Sequence, residues 1–192
     1  RKSIAAPESS DEIILSTGAV LSRKMNKVVE ETAHTVALYS LPVLEDGQDR
    51  NVIEEHKNDD RIIVIRDGEA YFPDITTGLG GGKLLDGEID EKTSHVFVPG
   101  AFTESAAMDI NPRKLKNVTF VLKDPTKIFI GSGNWGKLRK KGLSIKVLEN
   151  IEVAAITVNP TAPAGYKFDH KALVDAMQEA VPGIPVIDVM LS

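Results

Sequence analysis

The chain has 192 residues, of which 42% are hydrophobic and 27% are charged, and its formal net charge is −5. These proportions are typical of a globular chain that buries a core, and they exclude wholesale disorder. The absence of cysteine excludes disulfides, thiolate metal sites and a cysteine nucleophile. Because there is neither an apolar run near the roughly 20 residues of a membrane helix nor a signal-like start, we expect a cytoplasmic protein without membrane association.

The first forty residues predict a strand followed by a long helix. Residues 1–10 are polar, and we interpret them as a linker or a disordered start. The run Glu12–Leu15 predicts a strand that ends in a turn of small and hydroxyl residues. Apolar residues then recur at helical spacing over residues 21–39, and Pro42 marks the end of that helix.

A hairpin and a glycine-rich segment follow. The β-rich runs Arg61–Arg66 and Glu69–Phe72 flank Asp67 and Gly68, a pair that suits the positive φ angles of a tight turn. Residues 73–92 contain five glycines, and we expect them to form a long loop. A loop of this length within a compact domain is either functional or disordered.

The second half of the chain alternates between strands and helices. The predicted strands are His95–Val98, Asn117–Leu122, Lys127–Ile130, Leu143–Leu148, Ile151–Val158 and Pro185–Leu191. The predicted helices are Phe102–Ile110, Asn134–Lys141 and Asp169–Ala180. This alternation predicts an α/β fold with a helix-flanked, largely parallel (mixed) sheet, an added antiparallel β-hairpin and a long Gly-rich loop. We expect residues 11–192 to form a single domain, with a small lobe around residues 43–93 as a further option.

Small and hydroxyl residues follow several predicted strands. Ligands of open α/β sheets bind outside the carboxyl ends of the strands, and a helix start can hold a phosphate there. One hypothesis is therefore a site for a small anionic ligand, a nucleotide or a phosphorylated metabolite, with Lys83 of the glycine-rich segment closing over it. The candidate residues at the strand ends are Ser16, Thr17, Gly18, Gly100, Thr103, Asp124, Thr126, Asn159 and Thr161. The alternative is that these residues only form turns and helix caps.

The glycine-rich segment does not match either of two nucleotide-binding motifs. A P-loop needs Ser or Thr after its lysine, but Leu84 follows Lys83. The dinucleotide fingerprint would need a glycine at the position of Lys83. The segment therefore identifies no cofactor, and neither enzymatic activity nor a cofactor is assigned from the sequence.

Residues 113–146 are strongly basic. They contain ten Lys and Arg and a single acidic residue, a net charge of +9 within an acidic chain. The alternative hypothesis is a non-catalytic interaction or assembly module in which this segment docks an acidic protein partner or a second copy of the chain. A third hypothesis is nucleic-acid binding, against which the pI near 5.4 argues. The candidate contact residues are Trp135, Lys137, Arg139, Lys140 and Lys141. The four histidines lack metal-ligand spacing, so we expect no metal.

Overall fold

The computed structural model describes residues 12–75 and 81–191. Its strands are β1 (Glu12–Gly18), β2 (Ile63–Arg66), β3 (Glu69–Tyr71), β4 (Thr93–Val98), β5 (Phe102–Thr103), β6 (Thr119–Leu122), β7 (Ile128–Phe129), β8 (Ser144–Val147), β9 (Glu152–Asn159) and β10 (Val186–Asp188). Its helices are α1 (Met25–Leu38), α2 (Gln48–His56), α3 (Gly81–Glu88), α4 (Glu104–Asp109), α5 (Pro112–Leu115), α6 (Ser132–Lys140) and α7 (His170–Ala180). Within the described ranges, no helix is both long and apolar enough to cross a membrane.

The tertiary contacts divide the chain into two compact units. The first unit takes the described parts of Arg1–Ser40 and Ile151–Ser192, and the second unit is Leu41–Asn150. The predicted single domain over 11–192 and the lobe over 43–93 stay predictions, and the predicted linker over 1–10 lies outside the described residues.

The first unit is a three-stranded parallel sheet covered by two helices. Its strand order is β1-β9-β10, and both outer strands run parallel to β9. Helices α1 and α7 pack against each other. The apolar core joins Val28 of α1, Ile156 of β9 and Leu173 of α7. Asp169 caps α7, as the sequence predicts, by accepting a hydrogen bond from the Ala172 amide at 2.8 Å.

The second unit contains a five-stranded mixed sheet of order β3-β2-β4-β6-β8. The β2–β3 hairpin turns at Asp67 and Gly68, whose φ angles of 51° and 80° confirm the predicted turn. Strands β4, β6 and β8 are parallel, while β2 pairs with β4 in the antiparallel sense. Ile53 of α2 packs on Phe97 and Val121 of this sheet. The mixed α/β prediction is therefore confirmed, although the strands form more than one sheet.

Two local predictions in the second unit are wrong. Part of the loop expected over residues 73–92 is helix α3, in which Gly82 and Leu85 lie three residues apart and are buried on one face. A Cβ atom on Gly82 would lie 2.6 Å from the Ala106 carbonyl oxygen, so this glycine serves close packing against α4. The helix expected over 102–110 begins later, because Phe102–Thr103 pairs with β7 as a short strand.

Candidate functional site

The structure brings the predicted strand ends together in two pairs, one in each unit. In the first unit β1 and β9 are parallel neighbours, and Gly18 lies opposite Asn159. In the second unit β4 and β6 are parallel neighbours, so the turns at Gly100 and Asp124 follow adjacent strands. The two pairs belong to different sheets, and each is described by itself.

The side chains that follow β4 and β6 in the second unit form local hydrogen bonds. Thr103 caps α4, since its hydroxyl accepts a hydrogen bond from the Ala106 amide at 3.2 Å. The buried carboxylate of Asp124 accepts from the Thr126 amide at 2.8 Å and also from the Thr126 hydroxyl. These groups stabilise turns, as the alternative interpretation of the strand ends states.

The hydroxyl groups at the end of β1 are also paired. The Ser16 hydroxyl lies 2.9 Å from that of Thr157, and Thr17 accepts a 2.9 Å hydrogen bond from Thr32. Ser16 and Thr17 line a small cavity of about 90 Å³ that also contains Glu31. This volume is below the roughly 300–1,000 Å³ of small-molecule sites, so the cavity is too small for a nucleotide or a phosphorylated metabolite.

An open cleft lies nearby, between the turn after β1 and the loop after β9. Its volume is about 450 Å³. Its lining residues are Arg23, Ala164, Gly165, Tyr166, Lys167 and Phe168. Asn159 begins the loop by accepting a hydrogen bond from the Thr161 amide at 2.9 Å. The loop then folds back as a small hairpin, in which Thr161 pairs with Lys167 and the Phe168 amide donates to the Pro160 carbonyl at 2.9 Å.

The aromatic wall of the cleft is fixed by specific contacts. The Tyr166 hydroxyl donates to the Ala19 carbonyl, which joins the loop after β9 to the turn after β1. The Arg23 guanidinium lies over the Tyr166 ring, 5.3 Å from its centroid, and Phe168 meets that ring at 6.4 Å in an edge-to-face arrangement. The ring is therefore held from several sides.

The charge of the cleft is positive. Two of its six lining residues, Arg23 and Lys167, are cationic, and none is acidic. Neither cation forms an ion pair with a carboxylate in the described ranges. Both are exposed, so they can meet an anion from solvent without first breaking a salt bridge. Neither residue is among the sequence-predicted candidates, because 144 positions separate them and only the β1–β9 pairing brings their loops together.

Lys83 lies in the second unit on an exposed position of α3. The neighbouring residues 76–80, which include two glycines and two threonines of the predicted closing loop, lie outside the described residues. The predicted closure over a ligand therefore stays a prediction.

The basic segment forms exposed positions on and around two helices of the second unit. Lys137, Arg139, Lys140 and Lys141 are exposed, whereas Trp135 is half-buried with the Arg139 guanidinium 5.9 Å from its ring centroid. Lys116 packs along Gly142, since a Cβ atom on this glycine would lie 2.6 Å from the Cγ atom of Lys116. The basic turns before β6 and β8 therefore adjoin each other.

Acidic side chains neutralise only part of this segment. Lys114 pairs with Asp86 at 3.4 Å, and Lys146 pairs with Glu45. The Lys146 hydrogen bond holds the pKa of Glu45 below its ordinary value. No ion pair to a described carboxylate is formed by Arg113, Lys116, Lys137, Arg139, Lys140 or Lys141.

A histidine–aspartate pair in the first unit is a further feature that sequence spacing does not reveal. His170 begins α7, and its Nδ1 atom lies 2.6 Å from an Asp188 carboxylate oxygen at the end of β10. In the described part of the chain, no group of three or more His, Asp and Glu side chains could hold a metal ion. A single imidazole with one carboxylate can instead accept a proton or act as a nucleophile.

When compared with protein-family models, with curated proteins and with solved structures, the chain matches none of them.

Proposed function

We propose that this chain binds a small anionic ligand with a planar ring, such as a nucleotide or a phosphorylated aromatic metabolite, in the first unit. The observation that carries the proposal is the cleft in which Arg23 and Lys167 stand beside Tyr166 without an acidic residue in the lining. A cytoplasmic setting is part of the proposal, and the lack of cysteine supports it.

The shape and chemistry of the cleft favour this class of ligand. Its volume of about 450 Å³ is in the range of small-molecule sites, roughly 300–1,000 Å³. Arginine and lysine supply the donors that phosphate oxygens accept, and arginine does so through two parallel hydrogen bonds. In this proposal a planar ring stacks on the face of Tyr166 that the Arg23 guanidinium does not cover. The cleft also lies at the carboxyl edge of a parallel sheet, where ligands of α/β folds commonly bind.

Thermal unfolding in the presence of phosphate-bearing compounds tests the proposal. The panel contains inorganic phosphate, ribose 5-phosphate, and adenosine and guanosine mono- and triphosphates. A ligand at 100 times its Kd stabilises the folded state by about 2.7 kcal/mol, which raises the midpoint by several degrees. We expect a nucleotide to give a larger shift than phosphate or ribose 5-phosphate, because only the nucleotide adds ring stacking.

Matched variants test whether the ligand that shifts the thermal midpoint binds in the cleft. Arg23→Gln and Lys167→Gln each remove one positive charge from the cleft and should reduce the shift. Arg113→Gln removes an exposed charge from the second unit and should leave the shift unchanged. If no compound shifts the midpoint, or if Arg113→Gln abolishes a shift that Arg23→Gln leaves intact, the proposal is wrong.

A second candidate function is docking of an acidic protein partner, or of a second copy, by the basic segment. The exposed cations around α6 favour it, because they have no carboxylate partner among the described residues. Charges arranged in this way increase the rate of association with an acidic surface and make it sensitive to salt.

This second candidate has its own test. Sedimentation at low and high salt measures self-association, and Trp135 fluorescence measures binding of a glutamate-rich peptide or a single-stranded oligonucleotide. We expect the peptide to bind at low salt and the variant Lys137→Glu/Lys140→Glu/Lys141→Glu to lose this binding. A monomer that binds neither probe contradicts the proposal, and tighter binding of the oligonucleotide than of the peptide assigns the surface to nucleic acid instead.

A further inference from the structure

The His170–Asp188 pair lies at the same edge of the first sheet as the proposed ligand cleft. Asp188 ends β10 and pairs with Val158 of β9, one residue before Asn159, where the cleft loop begins. His170 follows Phe168 of the cleft wall by two residues. Because β9 and β10 are parallel neighbours, both features belong to the carboxyl edge.

The Asp188 carboxylate is buried, and each of its two oxygens has a hydrogen-bond partner. Its side chain is 4% exposed, while that of His170 is 35% exposed. One carboxylate oxygen lies 2.6 Å from His170 Nδ1, and the other accepts a hydrogen bond from the Met190 amide at 2.8 Å. A carboxylate held on both oxygens fixes the orientation of the imidazole and favours the tautomer with its proton on Nδ1.

This arrangement leaves Nε2 of His170 with a lone pair and with no hydrogen-bond partner among the described residues. The buried negative charge beside Nδ1 favours attack by Nε2, because it stabilises the positive charge that the ring gains when Nε2 forms a new bond. A second histidine, His95, also bonds an aspartate at 2.6 Å, but its partner Asp49 is 25% exposed and is shared with Ser94. His95 is therefore a natural control.

We propose that Nε2 of His170 accepts a phosphoryl group from a small acyl phosphate. This inference rests on the proposed function, because the cations Arg23 and Lys167 would attract the phosphorylated donor to this edge of the sheet. The Nε2 lone pair attacks phosphorus and forms an N–P bond. The P–O bond to the acyl group breaks, and its electron pair leaves on the carboxylate product, which needs no proton. The Nδ1 proton stays in its hydrogen bond to Asp188, whose charge balances that of the phosphorylated ring.

Acetyl phosphate is the probe for this reaction. The full chain is incubated with it at neutral pH, and the product is measured by intact mass and by ³¹P NMR. We expect one phosphoryl group per chain, labile in acid and stable in alkali, with the N–P chemical shift of phosphohistidine. His170→Gln should abolish the label, whereas His95→Gln should retain it.

Asp188 is a positioning residue in this scheme, and its variant tests that role. Asp188→Asn should slow labelling at least about tenfold, the size of effect seen when a metal-bound histidine loses its carboxylate partner. Asp188→Glu keeps the carboxylate and should recover part of the labelling rate that Asp188→Asn loses. Asp49→Asn is the matched control and should leave the labelling rate unchanged. Circular dichroism verifies that all three variants are folded.

Binding and labelling fail in distinguishable ways. If nucleotides stabilise the wild type through Arg23 but no acid-labile phosphate forms, this inference is overturned and the proposed function stands. A label that survives His170→Gln overturns it as well. If neither stabilisation nor labelling occurs, both proposals are wrong.

Discussion

The Tyr166 hydroxyl donates a hydrogen bond to the Ala19 carbonyl and so joins the loop after β9 to the turn after β1. The two residues are 147 positions apart in the chain. Their contact holds the aromatic wall of the proposed ligand cleft beside Arg23, whose guanidinium lies 5.3 Å from the centre of the Tyr166 ring. This hydroxyl group is thus one of the contacts that order the cleft, together with those of Arg23 and Phe168.

Removing that hydroxyl should loosen the cleft. Tyr166→Phe keeps the ring but loses the hydrogen bond, which lowers the free energy of unfolding by about 1 kcal/mol. We also expect weaker binding of the nucleotide identified by thermal unfolding, since the ring must then be ordered on binding. Chemical denaturation and calorimetric titration measure the two effects. Unchanged stability and affinity would show that the hydroxyl does not organise the site.

Gly18 is a position where any side chain should be costly. A Cβ atom there would lie 2.1 Å from the Asn159 carbonyl oxygen on the neighbouring strand. Gly18→Ala must push β1 away from β9, and we expect a loss of about 3 kcal/mol, the upper end of typical overpacking. Gly133→Ala is the matched control, because that helical glycine has open space around it and alanine should stabilise α6 slightly. If the denaturation curves show the same change in stability for both variants, the close approach of β9 to Gly18 does not restrict this position.

The N-cap of α7 should contribute measurably to stability. Asp169→Ala removes the acceptor of the Ala172 amide and should cost about 1 kcal/mol. Asp175→Ala removes an exposed carboxylate that pairs with Lys171 on the same helix, and its effect should be within about 0.5 kcal/mol. Urea denaturation of both variants compares the stability contributed by the N-cap with that contributed by the surface ion pair. A larger loss in Asp175→Ala would contradict the assigned cap.

The Glu45–Lys146 pair predicts a pH dependence of stability. The hydrogen bond from Lys146 lowers the pKa of Glu45 below its ordinary 4.5, so the folded state favours the ionised carboxylate. The contribution is present above pH 4.5 and is lost as the pH falls through the lower folded-state value. The stability difference between the wild type and Glu45→Gln should therefore shrink from pH 7 to pH 3. A difference that stays constant would show that the ionised form is not favoured.

Local chemistry in the sequence was sufficient to predict several elements. The Asp67–Gly68 turn and the Asp169 cap were predictable because the residues that form them are adjacent in the chain. The hydroxyl and Asx residues at the strand ends were also recognisable, but their hydrogen bonds are mostly local caps and turns. The same residue types serve both roles, so type alone could not separate ligand contacts from turns.

The proposed cleft itself could not be predicted in this way. Arg23 and Lys167 carry no motif, and they line one cleft because β1 pairs with β9 across more than a hundred intervening residues. The His170–Asp188 contact depends in the same way on the parallel placement of β10 beside β9. The glycines before Lys83 suggested a loop, whereas part of that segment is a helix that buries Gly82 and Leu85.

The most direct test of the central claim is an amide chemical-shift map of the ¹⁵N-labelled chain titrated with the nucleotide that stabilises it most. The account predicts that the largest shifts occur in residues 19–24 and 161–168, on both walls of the cleft, and that Arg23→Gln weakens the titration without moving its location. Shifts concentrated in residues 113–146, or no shifts at millimolar nucleotide, would contradict it.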